Sequence, residues 1–188
     1  MTRRHLLALG LLAACAGSGR TRVVTPYRGI PGAPVRVEVV NATGSELPMP
    51  PVGLVEQAVR VVAGRPDPEP SIPAAFARSA AAALAARAFA VAAADPAAAR
   101  LTIRLIGWQP RAAVAAGGAV FVSADYELVT PGGDVIWRVE QRHTAVRLGA
   151  PNLSRQEVRR VVDLCVERAF ASLPHAPAAG GAPAASPG

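Results

Sequence analysis

The sequence predicts an α/β fold, α+β in arrangement: a single two-layer domain whose mixed sheet of about four to five strands includes a long hairpin and is packed by two main helices. Three observations carry this. Apolar residues recur at every second position in separate stretches, as in Leu101, Ile103 and Leu105 or Val120, Val122, Ala124, Tyr126 and Leu128. That period belongs to a strand with one buried face. Two other stretches, about 73–87 and 154–173, repeat apolar residues every three or four positions, the period of a helix with one buried stripe. The chain has 188 residues, a length at which one domain can bury its own core.

Each element follows from local chemistry. Val35 to Val39 alternates as V-R-V-E-V and predicts the first strand, ended by Asn41 to Gly44. Residues 47–51 are Pro-rich and predict irregular structure. Leu54, Val55, Ala58, Val59 and Val62 fall on one face of a short helix over 52–62, and 64–70 is a Pro-rich connection. Pro73 opens the next helix, where proline is tolerated in the first turn; its stripe is Phe76, Ala80, Ala83 and Leu84. A short strand is predicted over 89–93 and a turn at Asp95-Pro96. Leu101 onward predicts a strand ending near Trp108, followed by an Ala/Gly-rich loop over 111–118.

The long hairpin comes next. Its first arm carries the alternation from Val120 to Leu128. Pro131-Gly132-Gly133-Asp134 is the turn, and Val135, Trp137 and Val139 alternate on the return arm. The final helix has a capping box in Ser154-Arg155-Gln156-Glu157, with Leu153 and Val158 at the positions of a hydrophobic staple. Its stripe is Val158, Val162, Cys165, Ala169 and Leu173, and Pro174 ends it. The tail, 175–188, is a Pro/Ala/Gly segment expected to be disordered.

The amino terminus reads differently. Thr2-Arg3-Arg4-His5 is a short positive region, and nine apolar or small residues follow, too few to span a bilayer. This is the pattern of a secretory signal peptide over 1–14, with a twin-arginine spelling as one route of export. Leu12-Ala13-Ala14-Cys15 resembles the lipobox of bacterial lipoproteins: an aliphatic residue, two small ones and a cysteine directly after the apolar run. The resemblance implies cleavage before Cys15 and a covalent diacylglycerol and N-acyl chain on that residue. Such chains give stable membrane attachment at about 0.8 kcal/mol per buried methylene. Residues 16–33 are rich in Gly, Ser, Arg and Pro and read as a flexible tether, so the lipidated Cys and tether occupy 15–33 and the α/β domain 34–174. Ala16 in place of Asp leans toward the outer membrane over the inner one, with the domain facing the periplasm.

Composition narrows the function classes. Apolar residues make up 51% and aromatics only 4%, so the core is aliphatic and rich in small residues. The 20 basic residues are all Arg and lie scattered, without a run of five like charges; this argues against a nucleic-acid partner. Without the first 14 residues the chain has 18 Arg against 13 Asp and Glu, a mild excess compatible with anionic lipid or peptidoglycan surfaces. Neither a zinc-protease helix nor a C-x-x-C spacing is present, and the chain past residue 14 has only His143 and His175, so neither a metal nor a soluble cofactor is expected. Cys165, on the apolar stripe, fits a small core residue better than a reactive thiol. Asp125 and Glu127 face Arg138, Glu140 and Arg142 across the hairpin, which predicts cross-strand ion pairing. Two candidate partner-binding features stand out: Trp108, which fits either the core or an exposed anchor, and Arg155, Arg159 and Arg160, a basic patch or simply a solvated helix face.

The order strand, helix, short strand, strand, long hairpin, helix, together with the lipobox, resembles small envelope lipoproteins with a TolB amino-terminal-like or CsgG-like, anticodon-binding-like domain. The hairpin signature of that group is met by Ala124-Asp125-Tyr126-Glu127-Leu128-Val129, Gly132-Gly133 and Trp137. The resemblance implies an adaptor or assembly role, not catalysis: an accessory factor that meets an envelope protein partner and the membrane. The alternative is a module binding a lipid or small envelope ligand, which requires an apolar cleft.

Overall fold

The computed structural model describes residues 19–29, 34–51, 69–92, 95–111, 118–148 and 153–175. The predicted signal peptide, Cys15, the helix predicted over 52–62, the loop residues 112–117 and nearly all of the tail lie outside the described residues. Seven elements remain: β1 (Arg20–Thr25), β2 (Val35–Asn41), α1 (Ile72–Ala85), β3 (Ala99–Arg111), β4 (Ala119–Val129), β5 (Val135–Arg147) and α2 (Arg155–Phe170). The strands form one sheet in the order β1-β5-β4-β3-β2. Only β2 and β3 are parallel, as their connection through α1 requires; the other pairs are antiparallel. The predicted fold class is therefore the observed one.

Both helices lie on the same face of the sheet, α1 over β2 and β3 and α2 over β4 and β5. The core fills the space between. Every member of the stripe predicted for the last helix is buried, and so are Phe76, Ala80 and Leu84 of α1. Phe170 is the hub: Trp137 meets it edge-to-face at 5.5 Å between ring centroids, and Tyr126 at 6.3 Å. One polar chain crosses this apolar layer. The Tyr126 hydroxyl donates to Gln141 Oε1 at 3.1 Å, and Gln141 Nε2 donates to the Cys165 carbonyl at 2.8 Å. The chain satisfies buried groups that would otherwise cost about 1–3 kcal/mol each, and it fixes α2 on β5.

The helix ends follow their sequence signals. Ser71 Oγ accepts from Ala74 N at the start of α1, and Ser154 Oγ from Glu157 N at the start of α2. Phe89 N reaches back to the Leu84 carbonyl past Ala88, which stands at φ 61°, a left-handed position usually given to glycine. In the hairpin turn that position does fall to glycine, Gly133 at φ 93°.

Three expectations are corrected. Residues 20–25, assigned to the tether by composition, form the edge strand β1, paired with β5 from Arg20↔Arg142 to Thr25↔Arg138. Its β-branched residues Thr21, Val23, Val24 and Thr25 suit a strand, and Tyr27 just beyond packs edge-to-face on Phe89 at 6.0 Å. The short strand over 89–93 is reduced to an isolated bridge between Val91 and Val35. Strands β3 and β5 both run several residues past their predicted ends, because each changes phase midway.

Two one-residue bulges explain that change, and both fall beside Ser123. On β3 the register steps from Leu105↔Ala124 to Gly107↔Ser123, leaving Ile106 extra. On β5 it steps from Gln141↔Ala124 to Thr144↔Val122. The second bulge places His143 at φ 49°, with its N–H donating to Ser123 Oγ at 2.9 Å. The inward series 101, 103, 105 therefore continues at Trp108, and the series 137, 139, 141 continues at Thr144 and Val146. Strict alternation cannot anticipate such a shift.

Candidate functional site

With both helices on one face, no described element covers the other face of the sheet. Register and burial assign its residues row by row. Toward the hairpin turn, Arg36 and Arg100 form one row and Glu38, Thr102, Glu127 and Arg138 the row behind it. The next row holds Val40, Arg104, Asp125, Glu140 and Arg22. Farther along come Arg20 and Arg142, and Arg111 and Arg147 stand at the end of the sheet on either side of Ala119. The centre is an ion-pair network. Arg142 Nη1 meets Asp125 at 2.5 Å, and Arg138 bridges Glu140 at 3.0 Å and Glu127 at 3.7 Å. This is the cross-strand pairing expected from the sequence. Arg111 lies over the Phe121 ring, 5.1 Å from its centroid. Two exposed apolar side chains interrupt the charge, Val40 and Ile106.

The sequence-predicted candidates go elsewhere. Trp108 is core, turned inward by the Ile106 bulge and edge-to-face with Phe76 at 6.4 Å, so the exposed-anchor alternative falls away. The three helix arginines do not form a free patch, because each binds within the domain. Arg155 donates to the carbonyls of Pro50 and Glu69 at 3.1 and 3.2 Å. Arg159 Nε meets the fully buried Glu69 carboxylate at 2.6 Å, and Arg78 meets the same carboxylate at 2.5 Å. Arg160 pairs with Glu157 at 2.7 Å and also donates to the Arg147 carbonyl. Glu69 thus ties the segment before α1 to both helices. Its role was illegible in a Pro-rich stretch with no pattern. Cys15, Leu12, Ala13 and Ala14 lie outside the described residues.

Burial pushes the Cys165 thiol up to about 12, and the Tyr126 hydroxyl is likewise raised well above its ordinary range by burial. Neither is a nucleophile at neutral pH. Among the described residues no group of three His, Cys, Asp or Glu could hold a metal ion, and no helix is long and apolar enough to cross a membrane. A cleft of about 220 Å³ opens beside Arg28, Pro34, Ala99, Pro131 and Ile136, smaller than the roughly 300–1,000 Å³ of typical small-molecule sites.

Fold and face together define a class: a helix-backed, open-faced sheet module with a charged outer surface. No family model and no curated protein sequence matches the chain. Among solved structures, the PelC dodecamer from Paraburkholderia phytofirmans is similar, with a TM-score of 0.54 and 17% identity over 85% of this chain and 99% of that one. A leucine-to-methionine variant of the same PelC dodecamer gives a TM-score of 0.55 with the same identity and coverage. At this identity the likeness establishes a shared fold, not an activity. A minor lipoprotein from Acinetobacter baumannii overlaps more loosely, at a TM-score of 0.36 and 11% identity over 79% of this chain and 99% of that one.

Proposed function

We propose that the chain is a non-enzymatic lipoprotein, anchored through Cys15 to the periplasm-facing side of the outer membrane, that serves as an accessory factor of an envelope assembly. The observation that carries this reading is the open face of the sheet. Among the described residues helices cover one face, and the other is left as a broad surface of paired charges broken by Val40 and Ile106. Surfaces of mixed charge and apolar contact suit protein partners. The lipobox-like Leu12-Ala13-Ala14-Cys15 supplies the location, and the TolB- or CsgG-like element order is in keeping with an adaptor role. PelC, which shares the fold, was solved as a dodecamer; a second copy of the chain is therefore one candidate partner.

The test is a photo-crosslinking residue at Thr102, on the open face, in the full chain expressed in its own envelope. A discrete crosslinked species is expected, of twice the mass if the partner is another copy. A uniform smear, or none while the protein is membrane-bound, overturns the reading. Labelling with a radioactive fatty acid checks the anchor: the parent takes label and Cys15→Ser does not.

A further inference from the structure

The open face is not uniform along the strands, and its asymmetry coincides with the end from which the chain leaves for its anchor. From the row of Asp125 to the end of the sheet, the described strand residues of this face include Arg20, Arg22, Arg104, Arg111, Arg142 and Arg147, against only two carboxylates, Asp125 and Glu140. Toward the hairpin turn the same face has Arg36, Arg100 and Arg138 against Glu38 and Glu127. The excess of cations is thus concentrated in the half where β1 begins.

The anchor cannot stand far from that half. Gly19 lies so close to β5 that a Cβ there would come within 2.3 Å of the Thr144 Cα. The chain is therefore already held on β5 at residue 19, four residues after Cys15. Four residues reach at most about 14 Å, and β5 continues about 10 Å beyond Thr144 to Arg147. Even fully extended along the strand, the chain carries the lipidated residue only a few ångströms past the end of the sheet.

We infer that this near half of the open face is a docking surface for the anionic headgroups of the phospholipid leaflet that holds the anchor. The inference rests on the lipid anchor proposed above. The short reach holds the arginines within a Debye length of the lipid surface, about 8 Å at physiological salt, where each basic side chain near an anionic leaflet strengthens binding about five-fold. The domain is thereby held in one orientation, with the hairpin turn pointing away and the far half of the face left to a protein partner. The anchored domain does not swing on a leash.

The experiment uses the full lipidated chain in vesicles of phosphatidylcholine, with or without phosphatidylglycerol at three parts in ten. A fluorophore is placed at Gln109→Cys, on the near half, or at Asp134→Cys, in the turn; the buried Cys165 does not compete for label. A nitroxide on a lipid headgroup quenches whatever lies at the surface. Position 109 should be quenched at least three-fold more than position 134, and phosphatidylglycerol should increase that quenching. Arg111→Ser with Arg147→Ser should abolish the increase, whereas Arg36→Ser with Arg100→Ser should leave it. Equal quenching with and without phosphatidylglycerol, or equal loss in both variants, overturns the proposal while the anchor stands. Quenching at neither position, in protein that floats with the vesicles, also overturns it. Protein that does not float refutes the anchor and the inference together.

Discussion

The two faces of the sheet are built from the same strands and obey opposite rules. On the covered face, Trp137, Tyr126, Phe170 and the aliphatic stripe of α2 are fully buried, and a polar chain among them runs from Tyr126 through Gln141 to the Cys165 carbonyl. On the open face, five charged groups from β4 and β5 pair with one another in reach of water. The difference teaches where free energy and where specificity reside. Burial stabilises the first face by about 25 cal/mol per Å² of apolar area. The exposed pairs of the second contribute about 0–1 kcal/mol each, so that surface adds little to stability.

The sharpest way to break this contrast is Val162→Asp. It buries a carboxylate against the sheet without a partner and should cost several kcal/mol, removing the cooperative unfolding transition in urea. Parent-like unfolding would mean that α2 is peripheral. The next effect is smaller and asymmetric. Arg159→Ala leaves the Glu69 carboxylate buried with one fewer cation and should cost about 3 kcal/mol. Glu69→Gln releases Arg78 and Arg159, both partly exposed, toward water and should cost only about 1 kcal/mol. Urea titrations of the two variants decide this, and a reversed order would refute the clamp. The smallest effect belongs to the open face: Arg138→Ala removes two half-exposed pairs and should shift stability by less than about 1 kcal/mol. A larger loss would show that the face is structural.

Much of the fold was legible in the sequence because periodicity reports which side of an element is dry. The stripe from Val158 to Leu173, the cap at Ser154 and the hairpin turn all stand where their chemistry puts them. What failed did so for identifiable reasons. A window rich in Gly, Ser and Pro concealed the β-branched run of β1. The bulges beside Ser123 broke alternation, which cut β3 and β5 short. Ion pairing was predicted correctly where two strands face each other in register. It was missed where a distant loop brings Glu69 to Arg159, so an arginine expected to be a bystander, worth no more than about 0.5 kcal/mol, is a partner of a buried charge. The open face was visible only as scattered arginines until the strand order set them side by side.

The paired slips beside Ser123 also limit how this chain can change in length. Beyond them, β3 and β5 are written in a second reading frame, in which Trp108, Thr144 and Val146 point inward only because one residue has been skipped on each strand. Losing Ile106 itself would only straighten β3, leaving Gly107 outward and Trp108 inward, whereas losing Arg104 would turn Leu105 to the open face and Ile106 to the core. A loop can gain or lose residues singly, but inside these two strands, away from the bulges, a change of one residue is a change of side.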